Sequence, residues 1–98
     1  MSGPPDDRIC LRVRIRGRVQ GVWYRGWVVD EALRRGLEGW VRNRLDGSVE
    51  ALFVGSEAAV RDVIEACRIG PPAARVDRID EAPGEDEGHV GFRQRPTK

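Results

Sequence analysis

Hydrophobic and polar residues alternate over residues 9–15, the pattern of a β-strand that is buried on one face only. Beyond a turn that contains two glycines, apolar residues recur at every fourth position from Tyr24 to Ala32. This spacing predicts a helix over about residues 24–35. Gly36 is placed to end this helix by adopting the left-handed conformation. The chain therefore starts with a strand that passes through a glycine-containing turn directly into a helix.

Two further runs with the composition of strands, residues 37–43 and 48–54, follow this helix. The residues between them include Asp46 and Gly47, and the pair Asp-Gly is a strong sequence signal for a tight β-hairpin. The two runs are therefore predicted to pair as antiparallel strands, and Asn43 closes the first of them.

The second half of the chain predicts another helix and two more strands. Ser56 is placed to cap this helix, and Gly70 with the two prolines after it stops the helix. Apolar residues within 76–79 indicate a fourth strand, residues 82–88 are typical of a mobile loop, and residues 90–95 indicate a short last strand. The apolar stripe of the second helix consists of Val60, Val63, Ile64 and Cys67.

The predicted order of elements is strand, helix, strand, strand, helix, strand (βαββαβ), with a short terminal strand added. Each helix has one apolar stripe and each strand has one strongly polar face, so both helices are expected on one face of an antiparallel sheet. We therefore expect an α+β fold with two layers. Because 98 residues support one modest core, residues 9–98 are expected to form a single domain, preceded by a disordered N-terminal tail at residues 1–8.

The composition excludes several classes of protein. One histidine and two cysteines are too few for a zinc cluster or a disulfide framework, so we expect no metal. Cys10 falls on the polar face of its strand and Cys67 on the apolar stripe of the second helix, so a bridge would have to cross the sheet and both thiols are expected to be unpaired. No cofactor is expected. The N-terminus has neither a basic start nor an apolar run, which predicts a cytoplasmic protein without a signal peptide or a membrane span. The net charge is only +1, yet ten arginines lie between Arg8 and Arg44. This local positive charge favours a small anionic ligand.

The turn before the first helix, residues 17–25 (GRVQGVWYR), is the first candidate for chemistry. Its two glycines allow the backbone to curve so that several N–H groups point at one oxyanion. The free N–H groups at the start of the helix and the guanidinium of Arg25 add further donors. The alternative is a turn that only connects two elements, which is the more common use of such a motif when it is considered alone.

A second motif lies at residues 39–43 (GWVRN) and is followed after three residues by GSVE at residues 47–50. Together with residues 17–25, in this order and at this spacing, it closely resembles the signature segments of the acylphosphatase family. The resemblance implies a ferredoxin-like two-layer sandwich. It also implies hydrolysis of a carboxyl-phosphate bond to a carboxylate and inorganic phosphate, without a metal ion. Outside the two motifs, the segments that carry the resemblance are residues 70–77 and 91–92.

The resemblance further implies the residues of the site. Arg25 would bind the phosphate group and Asn43 would position the attacking water, and these two are the expected catalytic residues. Neither signature segment, 17–25 or 39–43, contains Asp, Glu or His, so we hypothesise that the water passes its proton to the phosphate itself. Tyr24 is a departure, since many members have Phe at this position. The residues expected to bind phosphate beside Arg25 are Gln20, Gly21, Val22, Trp23 and Tyr24.

The expected partner is a small-molecule acyl phosphate, with inorganic phosphate or sulfate as competitive ligands. We expect a monomer that binds neither nucleic acid nor a membrane. Two other functions stay open. One is RNA binding by the open face of the sheet, where Arg12, Arg14 and Arg16 line up, although the aromatic segments of RNA-recognition modules are absent. The other is a module that handles carbamoyl phosphate, like the acylphosphatase-like domain of hydrogenase-maturation proteins.

Some single residues also have a purely structural alternative. Asparagine beside a turn, as at Asn43, is commonly a backbone cap, and Gln20 has the alternative role of stabilising its turn. His89, in a glycine-containing loop, is expected to be solvated. The residues expected to act as packing groups are Trp23, Trp27 and Trp40.

Overall fold

The computed structural model describes residues 7–98, and most of the predicted N-terminal tail lies outside the described residues. The first strand begins one residue before the predicted start of the domain. Residues 7–98 form five strands and two helices in the predicted order. They are β1 (Arg8–Arg18), α1 (Tyr24–Arg34), β2 (Glu38–Asn43), β3 (Val49–Ser56), α2 (Glu57–Ile69), β4 (Arg75–Pro83) and β5 (Phe92–Gln94).

The strands form one sheet in the order β4-β1-β3-β2-β5. The first four strands pair antiparallel, as predicted, and confirm the ferredoxin-like arrangement. The added terminal strand, for which the sequence predicted no direction, is β5; it pairs parallel to β2, so the complete sheet is mixed. β4 lies at one edge of the sheet and ends at the same end of the sheet at which β2 starts. The segment after β4 crosses the sheet at that end, so β5 starts beside the start of β2 and runs parallel to it.

Both helices pack on one face of the sheet and bury a single apolar core beneath them. Tyr24, Val28 and Ala32 of α1 are buried, and so is the whole predicted stripe of α2. The cap of α2 is also confirmed, because the Ser56 hydroxyl accepts the N–H of Ala59 at 3.2 Å. From the sheet, the most buried core side chains are Val13, Ile15, Val41, Val49, Ala51 and Phe53.

The opposite face of the sheet is polar and carries most of the arginines. Its centre is Glu50, which is only 4% exposed and pairs with Arg42 at 2.8 Å and with Arg44 at 3.3 Å. Trp40 is buried beside them, and the guanidinium groups of Arg42 and Arg95 lie over its ring. Much of the positive charge of this face is therefore already paired with carboxylates or stacked on an aromatic ring.

The segment between β4 and β5 differs from its prediction in two ways. The predicted loop at residues 82–88 begins later than expected, because Ala82 and Pro83 still pair with β1. His89 is half-buried rather than solvated, and its Nε2 is enclosed without a hydrogen-bond partner among residues 7–98. The reason is that this segment crosses the sheet in contact with it, and Gly84 N–H donates to the carbonyl of Cys10 at 3.1 Å.

Cys10 and Cys67 are free thiols, as predicted, and they lie on opposite faces of the sheet. Residues 7–98 contain no helix that is long and apolar enough to cross a membrane. The same residues bring together no group of three or more His, Cys, Asp or Glu side chains that could hold a metal ion.

Candidate active site

The turn of residues 17–25 starts at a β-bulge. The pairing of β1 with β4 shifts register between Arg16 and Gly17, and Gly17 has a φ of +137°. A Cβ atom at Gly17 would lie 2.1 Å from the carbonyl oxygen of Arg75, so only glycine fits this close approach of two strands. Val19 then enters the core, and the chain turns away from the sheet towards α1.

The turn leaves a row of backbone N–H groups without acceptors. Gly21 and Trp23 both have positive φ angles, +73° and +62°, which curve the backbone just before α1 begins. The first bond of the helix runs from the N–H of Trp27 to the carbonyl of Trp23 at 3.1 Å. Within the described part of the chain, no N–H of residues 21–26 donates to a protein acceptor. These donors, together with the positive end of the helix dipole, suit an oxyanion.

Arg25 lies in the first turn of α1 and is half-buried. Among residues 7–98 no carboxylate lies within 4.0 Å of its guanidinium, in contrast to Arg42 and Arg44, which share Glu50. The guanidinium of Arg25 is therefore available for an external anion. Its fork of donors suits two oxygens of one phosphate group.

The side chain of Gln20 does not face the pocket. Its amide donates to the carbonyls of Arg44 and Ser48, at 2.8 Å each. Both carbonyls belong to the turn that joins β2 to β3, directly after Asn43. Gln20 thus holds the glycine-containing turn against the hairpin, which agrees with the stabilising role considered for it above.

Asn43 is the last residue of β2 and faces the same pocket as Arg25. Its side-chain oxygen Oδ1 is buried and has no hydrogen-bond donor among residues 7–98. Its carbonyl accepts the N–H of Lys98 at 3.2 Å. A backbone cap would use the side-chain oxygen, so the free Oδ1 argues against that alternative. The pocket has a volume of about 140 Å³, and its other lining residues are Val19, Gly21, Trp23, Tyr24, Gly26 and Gln94.

A family model described as Acylphosphatase matches residues 11–94, which include both motifs and nearly all of the sheet. The chain belongs to the acylphosphatase family. A protein of Rhodospirillum rubrum named acylphosphatase is 59% identical over 87 residues, covering 89% of this chain and 96% of that protein.

Two solved structures of proteins named acylphosphatase share the fold. The crystal structure of the protein from Bacillus subtilis has a TM-score of 0.85 and 41% identity, and the match covers 88% of this chain and 97% of that one. The structure of the protein from Coxiella burnetii has a TM-score of 0.88 and 32% identity, covering 97% and 100%. The two-layer sandwich is therefore the fold of the acylphosphatase family.

Tyr24 contributes its side chain to the core rather than to the pocket floor. It is 1% exposed, and its hydroxyl donates to the carbonyl of Cys67 at 2.6 Å. Burial raises the pKa of the Tyr24 hydroxyl above its ordinary value, so it stays protonated as a donor. The extra oxygen, relative to the Phe of many family members, therefore connects α1 to the end of α2. Towards the pocket Tyr24 offers its backbone N–H.

The expectation that all three tryptophans pack is wrong for Trp23. Trp27 is half-buried beside Tyr24 and Trp40 is buried, but the side chain of Trp23 is 64% exposed at the rim of the pocket. Its indole lies against Gly26, where a Cβ atom would meet Nε1 of the ring at 2.3 Å. This contact explains why glycine, a poor helix former, stands in the first turn of α1.

Gln94 is a pocket residue that the sequence did not indicate. It lies on β5, opposite Val41 of β2, and lines the pocket beside Asn43. The short last strand was predicted, but nothing in the sequence shows that it lies next to β2. The pairing of β5 with Gly39, Trp40 and Val41 of β2 brings Gln94 to the site.

Proposed function

We propose that the chain hydrolyses acyl phosphates in this pocket, with Arg25 holding the phosphate group and Asn43 orienting the attacking water. Membership of the acylphosphatase family supports the activity. One observation carries the assignment of the site. The free N–H groups of residues 21–26, the unpaired guanidinium of Arg25 and the unpartnered Oδ1 of Asn43 all belong to one pocket.

The phosphate group is bound by the partial positive charges of the N–H groups in this turn and by the full positive charge of Arg25. The N–H groups donate to the phosphate oxygens, and Arg25 adds a bidentate contact with a full positive charge. Phosphoryl transfer spreads negative charge over the three equatorial oxygens, so donors fixed around them stabilise the transition state. Because Gln20 ties the turn to the β2–β3 hairpin, the donors are in place before the substrate arrives.

Asn43 acts on the nucleophile. Its Oδ1 accepts a hydrogen bond from a water molecule and aims the water's oxygen at phosphorus, opposite the leaving group. A phosphorus–oxygen bond forms to the water while the bond to the acyl oxygen breaks, and the electron pair leaves on the carboxylate. No Asp, Glu or His lines the pocket among residues 7–98, so the water's proton passes to a phosphate oxygen. A carboxylate is a good leaving group, which reduces the need for a strong base.

The proposal includes the ligands expected from the sequence. A small acyl phosphate is the substrate, and inorganic phosphate or sulfate competes for the same donors. Hydrolysis proceeds without a metal ion, so phosphate release from benzoyl phosphate should be the same with and without EDTA. We also propose that the protein is cytoplasmic and monomeric. Gel filtration of the purified chain tests whether it is a monomer.

Variants of the two catalytic residues test the assignment. Asn43→Ala is expected to lower kcat by about 10² to 10³-fold, with little change in the inhibition constant of phosphate. Arg25→Ala should weaken phosphate inhibition and turnover together, and Arg25→Lys should not restore either, because lysine lacks the fork of donors. Arg18→Ala is the matched control, since Arg18 is exposed and lies outside the pocket. Full activity in Arg25→Ala would disprove the site, and so would an Asn43→Ala protein that loses phosphate affinity but keeps kcat.

A further inference from the structure

The side chain of Trp23 takes no part in the hydrolysis described above, yet it is held in an unusual way. Its φ of +62° lies in the left-handed region, which bulky residues rarely adopt. Core packing does not account for this conformation, because the side chain is 64% exposed. The same left-handed conformation curves the anion-binding turn at Gly21 and Trp23, so the turn that binds the phosphate also sets where the backbone of Trp23 lies.

The position of the indole depends on Gly26. A Cβ atom at residue 26 would lie 2.3 Å from Nε1 of Trp23 and 2.9 Å from Cδ1. Any side chain there would displace the ring from its place against the first turn of α1. Two locally unfavourable features, the left-handed Trp23 and a glycine inside the helix, therefore have one common result. They fix an aromatic surface at the rim of the pocket.

The pocket is polar at one end and aromatic at its rim. The N–H groups and Arg25 supply positive charge for a phosphate. Trp23 and Gly26, against which the indole of Trp23 lies, line the same cavity. An acyl phosphate has a matching division into an anionic phosphate and an acyl group. Building on the proposed function, we propose that Trp23 determines specificity by stacking on the acyl group of the substrate. It selects acyl phosphates of aromatic carboxylic acids over those of small aliphatic acids.

The selectivity ratio is the measurement that isolates this effect. It is kcat/KM for benzoyl phosphate divided by kcat/KM for acetyl phosphate, measured with the same protein. A change in the phosphate-binding turn affects both substrates alike and cancels in the ratio. Trp23→Ala is expected to lower the ratio about tenfold, the loss of one aromatic contact, whereas Trp23→Phe should stay within about threefold of the original chain. Leu45→Ala is the control, because Leu45 is an exposed apolar residue outside the pocket.

A second variant moves the indole without removing it. Gly26→Ala keeps Trp23 but forces its ring away from the helix, so the ratio should fall as it does in Trp23→Ala. If Trp23→Ala leaves the ratio within twofold of the original value, the indole does not contact the acyl group and the inference is wrong. A ratio that falls in Trp23→Ala but not in Gly26→Ala would show that the fixed position of the ring is unimportant, and would overturn that part.

A binding experiment separates this inference from the proposed function. Phenylphosphonate and methylphosphonate cannot be hydrolysed as acyl phosphates, and their binding to the original chain and to Trp23→Ala is measured by isothermal titration calorimetry. Phenylphosphonate should bind the original chain about tenfold more tightly than methylphosphonate and shift the NMR signal of the Trp23 indole N–H, and the difference in affinity should vanish in Trp23→Ala. If the chain binds phenylphosphonate in this way but hydrolyses neither acyl phosphate, the proposed function fails and the aromatic site stands. Equal binding of the two phosphonates refutes the aromatic site whatever the activity.

Discussion

Gln20 connects the phosphate-binding turn to the hairpin that carries Asn43, so its replacement should affect stability and catalysis together. Gln20→Met keeps the length of the side chain and removes both hydrogen bonds to the carbonyls of Arg44 and Ser48. Each carbonyl keeps one backbone donor, because Arg44 N–H donates to the Ser48 carbonyl and Gly47 N–H donates to the Arg44 carbonyl. Neither oxygen is left unpaired. The loss is therefore the net value of two bonds, about 2 kcal/mol in the free energy of unfolding.

For a domain of this size, a loss of 2 kcal/mol lowers the unfolding temperature by roughly 10 °C. Urea unfolding gives the free energy, and kcat with benzoyl phosphate is measured well below the unfolding temperature. We expect kcat to fall about tenfold or more, because Asn43 is no longer held at a fixed distance from the turn. Gln20→Glu should be worse at neutral pH, since it places a carboxylate against two carbonyl oxygens.

The control for Gln20 is Arg75→Ala, which removes one exposed side-chain hydrogen bond to Asp77, and Arg75 is not among the residues that line the pocket. Its stability should change by less than about 0.5 kcal/mol, with kcat unchanged. A Gln20→Met protein as stable as the original chain would refute the energetic argument. One that loses stability but keeps full kcat would refute the link between this side chain and the position of Asn43.

Three further outcomes are expected. Tyr24→Phe should lower the free energy of unfolding by about 1–2 kcal/mol, because the buried carbonyl of Cys67 loses its donor, with kcat retained; a large fall in kcat would place the hydroxyl in the chemistry. Burial raises the pKa of the Cys67 thiol to about 12 and also raises that of Cys10, so a thiol reagent at pH 8 should modify Cys10 slowly and Cys67 only after unfolding. Two fast-reacting thiols in the folded protein would contradict this. Hydrogen bonds from the hydroxyl and N–H of Ser48 lower the pKa of Asp46 from 3.8 to about 2, so its ionised form stabilises the fold above about pH 4 and this contribution disappears as the pH falls through 2. The difference in unfolding temperature between the original chain and Asp46→Asn should shrink over that range, and a constant difference would disprove it.

The elements of the fold could be predicted from the sequence where local chemistry determines them. The buried stripe of α2, its Ser56 cap and the β2–β3 hairpin all follow from residue spacing over a few positions. The direction of β5 could not be predicted in this way. It depends on which sheet edge remains free after β4 has paired with β1, and only the assembled sheet determines that.

The residues of the site also fall into two groups: those that local motifs predict and those that only the folded structure identifies. Arg25 and Asn43 were expected because each stands in a signature motif, and the structure brings their motifs to one pocket. The contacts of Gln20 span 24 and 28 residues along the chain, and no local pattern reports such contacts. Trp23 was assigned to packing because tryptophan is usually buried, but its ring lies at the rim of the pocket, where no helix or strand covers it. The sequence does not show which residues the folded sheet and helices leave uncovered.

The last residues of the chain run along β2 and end beside the site. β5 has three residues, after which Arg95 N–H donates to the Val41 carbonyl and Lys98 N–H donates to the carbonyl of Asn43. A segment with so few bonds and mostly exposed side chains opens at a lower free-energy cost than the rest of the sheet. Its amides should therefore exchange with deuterium sooner than those of β1 and β3. Each such opening removes Gln94 from the pocket and breaks the bond from Lys98 N–H to the Asn43 carbonyl, although Asn43 stays paired with Val49 of β3. The complete site therefore exists for a smaller fraction of time than the core.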